Sequence, residues 1–550
     1  KIHDMISSVR TDYVMDPILT LFGPTGQIIA QNDNYYGGDS LLAVKLPADG
    51  AYVLEVRDCR YNGHDKFTYC VEVAKRAFAE TVFPLAVQRG KTLEAEPIGP
   101  FCNAKEKIRW LAAADAALGT HDLRLATSRG ELNPVSVLVC DEPQIIAPTT
   151  NHALGAAAKL SFPVGVNGRF AKPDETHYYA FDARKDAWYD FELYAHRQGL
   201  PLDAVFEMYD AKGARVKVLD ALGKAADEID DVALYGDEIP QDKDPRFNFH
   251  APADGRYVLA VRDAHGRGGA DFVYHLRAAQ GAPDFELTGQ YYLGMLAPGL
   301  HTVWFARVHR RNGFEGPVAI HVDGLPKGVT QEPVTIPAGM TDCSIILAAA
   351  ADAPMNATLV NVVGRSEATD RAGKPITIER SGRTVCELQG EGGGQYMRTC
   401  QTKVLGVAKQ LDLAEIVATP GELTLRPGQK SEITVKVRRQ PGFTEPVNLD
   451  VQYIYPGAPT TAARRGTQLP PGVALGKASK LQLTEKGQVL EGKVVIEVAA
   501  DAKPIERRPI AVLAGVNISF SVNTVYGSNP IYLTVAPAAK STQTAAVRGP

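Results

Sequence analysis

The chain lacks the short motifs that carry most known chemistries. It has no HExxH, no GxSxG and no GxxxxGK[ST], and no Gly-rich loop set between a strand and a helix pattern. Its seven cysteines include no CxxC and no CxxCH, which removes the sequence basis for a zinc ribbon or a c-type haem. All twelve histidines lie at or before His321, so the remainder has no imidazole to use. Long apolar runs are absent as well. The longest, Ile345–Ala351, falls far short of the roughly 18 residues of a membrane-spanning helix. Charge of one sign is also missing: 59 Lys and Arg stand against 63 Asp and Glu, interspersed, for a net charge of −4. No basic face for nucleic acid or an anionic membrane follows from that balance. The opening "KIHDMISSVRTDYV" has neither the charged nor the apolar region of a signal peptide, as would also hold for a mature secreted chain.

What is present is turn chemistry and repetition. At 550 residues the chain is long enough for about three to five domains. Fifty Gly and 36 Pro, with abundant Val and Thr, suit many short strands joined by turns. The phrase "PADGAYVLEVRD" at 47–58 returns as "PADGRYVLAVRD" at 252–263, 205 residues later. Each copy reads as a Gly turn and a strand, with Tyr52, Leu54 and Val56, or Tyr257, Leu259 and Val261, on one face. Return strands follow, through Phe67, Tyr69, Val71 and Val73, or Phe272, Tyr274 and Leu276, so a β-hairpin is expected in each copy. Asp58 and Asp263 are expected to cap the turns. Upstream, "MDPILTLFGPTGQII" at 15–29 matches "LDAVFEMYDAKGARV" at 202–216, leaving an acidic 18-residue insertion within 217–244 of the second copy.

These motifs resemble the bacterial pre-peptidase C-terminal (PPC) domain, over residues 1–75 and about 150–280. The resemblance implies small jelly-roll-like β-sandwiches of the kind found in secreted and cell-surface bacterial proteins, often beside peptidases, with collagenase collagen-binding domains among the relatives. The second copy departs from the family's opening "GD-x-D-x-Y/F": it reads "DETHYYAF" at 174–181, with His177 where Asp is expected. In the first copy that region has no counterpart, since Lys1 aligns near Trp188. Either an upstream segment or another chain, by strand complementation, supplies the missing strands.

A second echo relates "VHRRNGFEGPVAIHV" at 308–322 to "VRRQPGFTEPVNLDV" at 437–451, each followed by a Leu-Pro-x-Gly-Val element, at 325–329 and 469–473. The expected fold is all-β: tandem β-sandwich domains, jelly-roll-like and Ig-like, arranged as beads on a string. The expected order is an N-terminally incomplete PPC-like sandwich (1–76), an Ig-like domain of IPT/TIG kind (77–145), a second PPC-like sandwich (146–281), an Ig-like domain (282–385), a Gly-rich connector (386–404), an Ig-like domain (405–538) and a disordered tail (539–550). "WLAAADAA" at 110–117 could add one or two helical turns.

Sequence-local pairing of the cysteines suggests disulfides Cys59–Cys70, Cys102–Cys140 and Cys386–Cys400, with Cys343 left over and an oxidising compartment implied. Scattered buried thiols in a cytosolic protein are the alternative. Calcium is the one ligand with physical motivation, because it takes six to eight oxygens that Asp-rich loops can supply. The candidate ligands are Asp33, Asn34 and Asp39 in the first copy and Asp230, Asp231, Asp242 and Asp244 in the second, with solvated acidic loops as the plainer reading. Tyr35 and Tyr36, in the polar loop "NDNYYGGD", are candidates for binding sugar or peptide, or pack locally. His177 and His265 are read as surface or hydrogen-bonded side chains. The functional expectation is a non-enzymatic secreted, periplasmic or cell-surface scaffold, adhesion or matrix protein whose partners are other protein chains or glycans. The alternative is the accessory region of a larger secreted hydrolase whose catalytic domain lies upstream of Lys1.

Overall fold

The computed structural model describes residues 2–4, 15–35, 39–63, 67–103, 105–128, 130–219, 225–226, 228, 244–290, 294–370, 373–389, 395–400, 402–409, 412–454, 465–517 and 523–537. Among them the chain is built of strands, and the helical elements are two three-residue 3-10 turns, Leu154–Ala156 and His196–Gln198. It divides into two compact units, Lys1–Ala282 with Gln389–Tyr396, and Pro283–Leu388 with Met397–Pro550.

In the first unit, strands β1 (Ile2–Asp4), β2 (Pro17–Phe22), β3 (Ile28–Asn32), β4 (Val53–Asp58) and β5 (Tyr69–Val71) form the first repeat copy. They make a three-stranded sheet in the order β3-β2-β4 and a separate β1–β5 pair. Strands β6 (Thr81–Phe83), β7 (Ala86–Gln88), β8 (Thr92–Ile98), β9 (Ile108–Leu111), β10 (Gly119–Leu123), β11 (Ala126–Thr127), β12 (Gly130–Glu131) and β13 (Val135–Cys140) follow. Their sheets β6-β8-β9 and β10-β13-β7 enclose a small core of Val82, Leu93, Ile108, Val135 and Val137. The "WLAAADAA" stretch forms no helix. Trp110 and Leu111 end β9, and the backbone of buried Ala112 is spent on Lys91 and Gly90, which extends the ladder instead.

The second copy is a complete sandwich. Its strands are β14 (Gln144–Ile146), β15 (Ala158–Lys159), β16 (Val164–Arg169), β17 (Thr176–Ala183), β18 (Trp188–Tyr194), β19 (Ala204–Tyr209), β20 (Arg215–Val216), a small pair β21 (Val218–Leu219) and β22 (Ala225–Ala226), then β23 (Arg246–His250), β24 (Gly255–Asp263) and β25 (Val273–Gln280). One sheet runs β15-β17-β24-β19-β20 and the other β14-β16-β25-β18-β23. Inward-facing Phe181, Tyr189, Phe191, Phe206, Phe247, Leu259, Val261 and Leu276 fill the space between them. Each such side chain contributes about 1.5–3 kcal/mol when fully buried.

The expected hairpin is corrected here. β24 and β25 lie in opposite sheets, so the loop after the repeated phrase crosses over the sandwich, and β4 and β5 likewise belong to separate sheets. Alternation fixes which face of a strand is buried but not which strand lies beside it, and a loop of this length permits either connection.

A polar joint docks the middle domain on the second copy. The buried Asn167 side chain accepts the Ala86 N–H (2.8 Å) and donates to Gln144 Oε1 (3.2 Å). Arg277 pairs with Glu142 at 2.5 Å, Arg169 pairs with Glu96, and the Arg169 guanidinium lies 4.2 Å from the Phe83 ring.

The second unit holds two sandwiches with cores around Trp304 and Ile345, and around Ile433 and Val494. Strands His301–Arg311 and Asn523–Gly527 meet at His301 and Gly527, so one sheet runs through both sandwiches. The second echo is structural. Arg310 donates to the carbonyls of Gly316 (3.0 Å), Pro337 (2.9 Å) and Met340. Arg439, 129 residues later, donates to those of Glu445 (2.6 Å), Glu485 and Gly487 (3.0 Å each). Gly328 and Gly472 in the two Leu-Pro-x-Gly-Val elements both take φ +81°, and a Cβ on either would press into Ala353 or Ala502. Residues 383–389, 395–400 and 402–407 are strands, so much of the expected Gly-rich connector is ordered ladder.

Candidate functional site

The loop that follows β4 and β24 is the most elaborated feature of both copies, and one carboxylate organises each. Asp263 Oδ2 accepts the N–H groups of His265 (3.0 Å) and Arg267 (2.9 Å), and Oδ1 accepts that of Asp203 (3.1 Å). Asp58 Oδ1 accepts the N–H groups of Arg60 (3.0 Å) and Asn62 (3.1 Å), and Oδ2 that of Asp16 (2.9 Å). Burial pushes both carboxyls up, and the donors outweigh it: backbone N–H groups at Asp58, the Arg267 guanidinium and N–H at Asp263. Both therefore sit below the usual carboxylate range. Each loop is closed again by a bond to the preceding strand, Cys59 N–H to the Asp16 carbonyl and Ala264 N–H to that of Asp203. Tyr52 and Tyr257 bond back to the carbonyls of Ala48 and Ala253. Gly50 and Gly255 take φ +154° and +153°, so the phrase is the same structure twice.

Of the positions at which the two loops differ, one takes a left-handed backbone in both copies. Gly266 has φ +64°, and its counterpart Tyr61 has φ +58°, a left-handed conformation that L side chains adopt at a cost. Tyr61 is 79% exposed, with the Arg57 guanidinium 4.4 Å from its ring. Inspection of the sequence passes over Tyr61. Mapping the copies at their 205-residue offset would have found it, because the offset sets it on a glycine.

Of the calcium candidates, Asp244 has another task. Its buried carboxylate accepts the N–H groups of Ala195 (3.0 Å), His196 (2.7 Å) and Arg197 (3.0 Å), and pairs with Arg197 Nε (3.0 Å), capping a 3-10 turn. Asp33, Asn34 and Asp39 lie around a turn closed by Tyr35 N–H on the Asp39 carbonyl (2.9 Å), with Ser40 donating to the Asp33 carbonyl (3.1 Å). Asp230, Asp231 and Asp242 lie outside the described residues, as does Tyr36. No group of three His, Cys, Asp or Glu side chains placed to hold a metal occurs among the described residues. Tyr35 is exposed at the rim of its loop.

His177 is buried, with Nδ1 2.7 Å from Tyr274 Oη, which lies 2.6 Å from Tyr179 Oη. Burial, with His152 adding to it, lowers its pKa to about 4. His275 is buried against Gln144 Oε1 (3.1 Å), and burial lowers it to about 3. His265 is exposed, 3.4 Å from Asp203.

Five cysteines are free thiols: Cys59, Cys70, Cys102, Cys140 and Cys343. Two expected pairings are thereby corrected. Cys59 donates to Asp16 Oδ2 (2.9 Å), while Cys70 sits on β5 in a separate sheet. Cys102 faces the core of the middle domain, whereas Cys140 faces outward against Ala86, Leu138 and Tyr194. Cys386 and Cys400 lie on strands, but their side chains fall outside the described residues.

No family model matches the chain, so the pre-peptidase C-terminal resemblance rests on its motifs alone. A probable subtilase-type serine protease of Deinococcus radiodurans is 44% identical over 55 residues, which is 9% of this chain and 8% of that protein. Among solved structures, titin domains Z1Z2 in complex with telethonin are similar at 14% identity and a TM-score of 0.12, covering 47% of this chain and 98% of that one. Domains 5–6 of the S-layer protein SbsC are similar at 11% identity and a TM-score of 0.16, covering 45% and 98%. No described helix is long and apolar enough to cross a membrane. The chain is a multidomain protein of β-sandwiches.

Proposed function

We propose that the chain is a non-catalytic, secreted or surface-exposed array of sandwiches, serving as a scaffold, adhesion or matrix component that binds protein or glycan. The observation that carries this reading is how the buried ionisable groups are used. Asp58, Asp263, Asp244 and Arg439, which are buried, and half-buried Arg310 are bonded to the backbone of their own or neighbouring loops, and Asp412 to Leu413 N–H, Thr524 and Tyr526. Groups held in this way stiffen loops, whereas general acid–base work needs access to a substrate proton. The polar joint of Asn167 and Gln144 and the sheet running through both sandwiches of the second unit favour mechanical continuity. The test is labelling of intact producing cells with a membrane-impermeant amine reagent, alongside assay of the culture medium. Labelling or release is expected, and protein labelled only after lysis overturns the reading.

The 55-residue likeness to a probable serine protease favours a second reading, the accessory region of a larger secreted hydrolase. Recovery of a longer mature polypeptide with a peptidase motif ahead of Lys1 would establish it.

A further inference from the structure

Gln144 sits at the centre of the polar joint, and the bonds around it decide which way its carboxamide faces. The Ala86 N–H occupies Asn167 Oδ1, so Asn167 turns its Nδ2–H to Gln144 Oε1 (3.2 Å). His275 Nε2 lies 3.1 Å from the same oxygen, and an amide oxygen only accepts, so that nitrogen carries the proton. The other ring nitrogen, Nδ1, is buried with no hydrogen-bond partner among the described residues, as suits a neutral ring. Gln144 Nε2 then points the opposite way, to the Glu142 carbonyl (2.8 Å) and to Cys140 Sγ (3.1 Å).

Three neighbouring strands assemble this group. Gln144 of β14 lies opposite Gly165 of β16, and Asn167, two residues on, lies opposite His275 of β25. A Cβ at residue 165 would fall 2.2 Å from Gln144 Nε2 and 2.5 Å from His275 Nε2, so the glycine is what lets both lie over that strand. The outcome is a carbonyl with two fixed N–H donors on its oxygen and a thiol against its nitrogen, one bond from the carbonyl carbon. Donors so placed stabilise the oxyanion of an acyl transfer, and contact distance between the reacting groups removes most of the entropy of bringing them together. Cys140 is buried, with Sγ also 3.5 Å from the Val87 carbonyl, and burial pushes its thiol up to about 12, so the sulfur arrives with its proton.

We propose that Cys140 and Gln144 condense to an internal thioester, which then captures a primary amine of a partner protein. The structure holds the pair as thiol and carboxamide. Sγ bonds to Cδ, the thiol proton passes to Nε2, the Cδ–Nε2 bond breaks and ammonia leaves, with no oxidant or other reactant. Asn167 and His275 hold the charge on Oε1 between bond making and bond breaking. In the second step a lysine amine attacks Cδ, the C–S bond breaks and a proton from the amine returns to Sγ, leaving an amide link to the partner. Ala86, Leu138 and Tyr194 pack around Cys140 and limit water, while Gln144 is only half-buried and open to the amine. The link forms once and is not turned over. The proposal deepens the scaffold reading by naming how a partner is held, and rests on it.

The experiment is mass measurement of the 550-residue chain, kept mildly acidic and then digested with pepsin. The chain is expected to be lighter than its sequence by one ammonia, with the loss in a fragment that holds both Cys140 and Gln144, and Cys140 is expected to resist maleimide in denaturant. Methylamine is expected to restore the Cys140 thiol and leave a methylamide at Gln144. Cys140→Ala and Gln144→Glu chains are expected at their full masses. A wild-type chain of full mass whose Cys140 is labelled in denaturant overturns the proposal and leaves a structural hydrogen bond. So does an ammonia loss that persists in Cys140→Ala or maps to Asn62–Gly63, Asn167–Gly168 or Asn312–Gly313, where a succinimide forms without a thiol. A thioester that methylamine does not open overturns the capture of an amine. None of these failures alters the surface-labelling result, so the two readings fall separately.

Discussion

Lowering the pH from 7 to 5 is expected to loosen the second sandwich copy before its Asp263 carboxylate titrates. His177 and His275 are buried as neutral rings, with pKa values lowered to about 4 and about 3. An unfolded histidine titrates near 6.5, so the unfolded chain takes up protons that the folded chain refuses. Their stabilising contribution is complete above about 6.5 and shrinks as the pH falls towards the folded values. Between pH 7 and 5 the loss is about 2 kcal/mol for each ring, from roughly 1.4 kcal/mol per pH unit below 6.5. Asp58 and Asp263 have lowered values, so their contribution persists above about pH 4 and leaves this window to imidazole. The groups around His275 oppose one another, Glu192 raising its pKa and Arg277 lowering it, and burial outweighs both. The assay is native-state hydrogen exchange at the amides of β17 and β25, at pH 7 and 5 after correction for intrinsic rates. A His177→Phe chain is expected to lose about half of the pH sensitivity. Equal protection at both pH values, or undiminished sensitivity in that variant, would refute the reasoning.

Four further outcomes follow from the same geometry. Tyr61→Gly relieves a left-handed residue but gives up the Arg57 contact and adds chain entropy, so a net change within about 1 kcal/mol of zero is expected in urea unfolding, while Gly266→Tyr costs more because a Cβ there would meet Asp174 Oδ1. Asp263→Ala strands three N–H groups and is expected to cost about 3 kcal/mol, measured as a lower urea midpoint at unchanged slope. Arg439→Ala frees three loop carbonyls and removes a buried side chain, at a similar cost of about 3 kcal/mol, and Arg439→Lys recovers little of it, since an ammonium cannot span the same fork. Alkylation followed by intact mass measurement is expected to modify exposed Cys70 first, with Cys102, Cys140 and Cys343 slow, because burial raises their pKa values to about 11, 12 and 12. A Cys59–Cys70 or Cys102–Cys140 bond found under non-reducing conditions would contradict the strand placement.

The repeats were legible because turns demand particular residues at particular places. Gly50 and Gly255, Asp58 and Asp263, and Gly328 and Gly472 recur with the same backbone or the same bonds. The all-β class followed from alternation and turn density. What the residues left open was partnership between strands. Tyr52, Leu54 and Val56 announce a face, but nothing in them tells whether β5 lies beside β4 or across from it. The cysteines misled for the same reason, since proximity in sequence gives no direction to a side chain. Cys102 and Cys140 face different sides of one domain. The small-residue run after Trp110 favours a helix by composition, yet the backbone of Ala112 completes a ladder.

The first copy sharpens the distinction between what a sequence encodes locally and what it needs from its surroundings. Twelve residues that differ from their counterparts at two positions form the same turn, the same tyrosine bond and the same carboxylate clamp in both copies. These features are closed within the loop and its adjacent strand, so they form wherever the phrase occurs. Burial is not closed in this way. Leu259 is fully buried because β17 and the opposing sheet cover it, while Leu54 is only partly covered by the described residues.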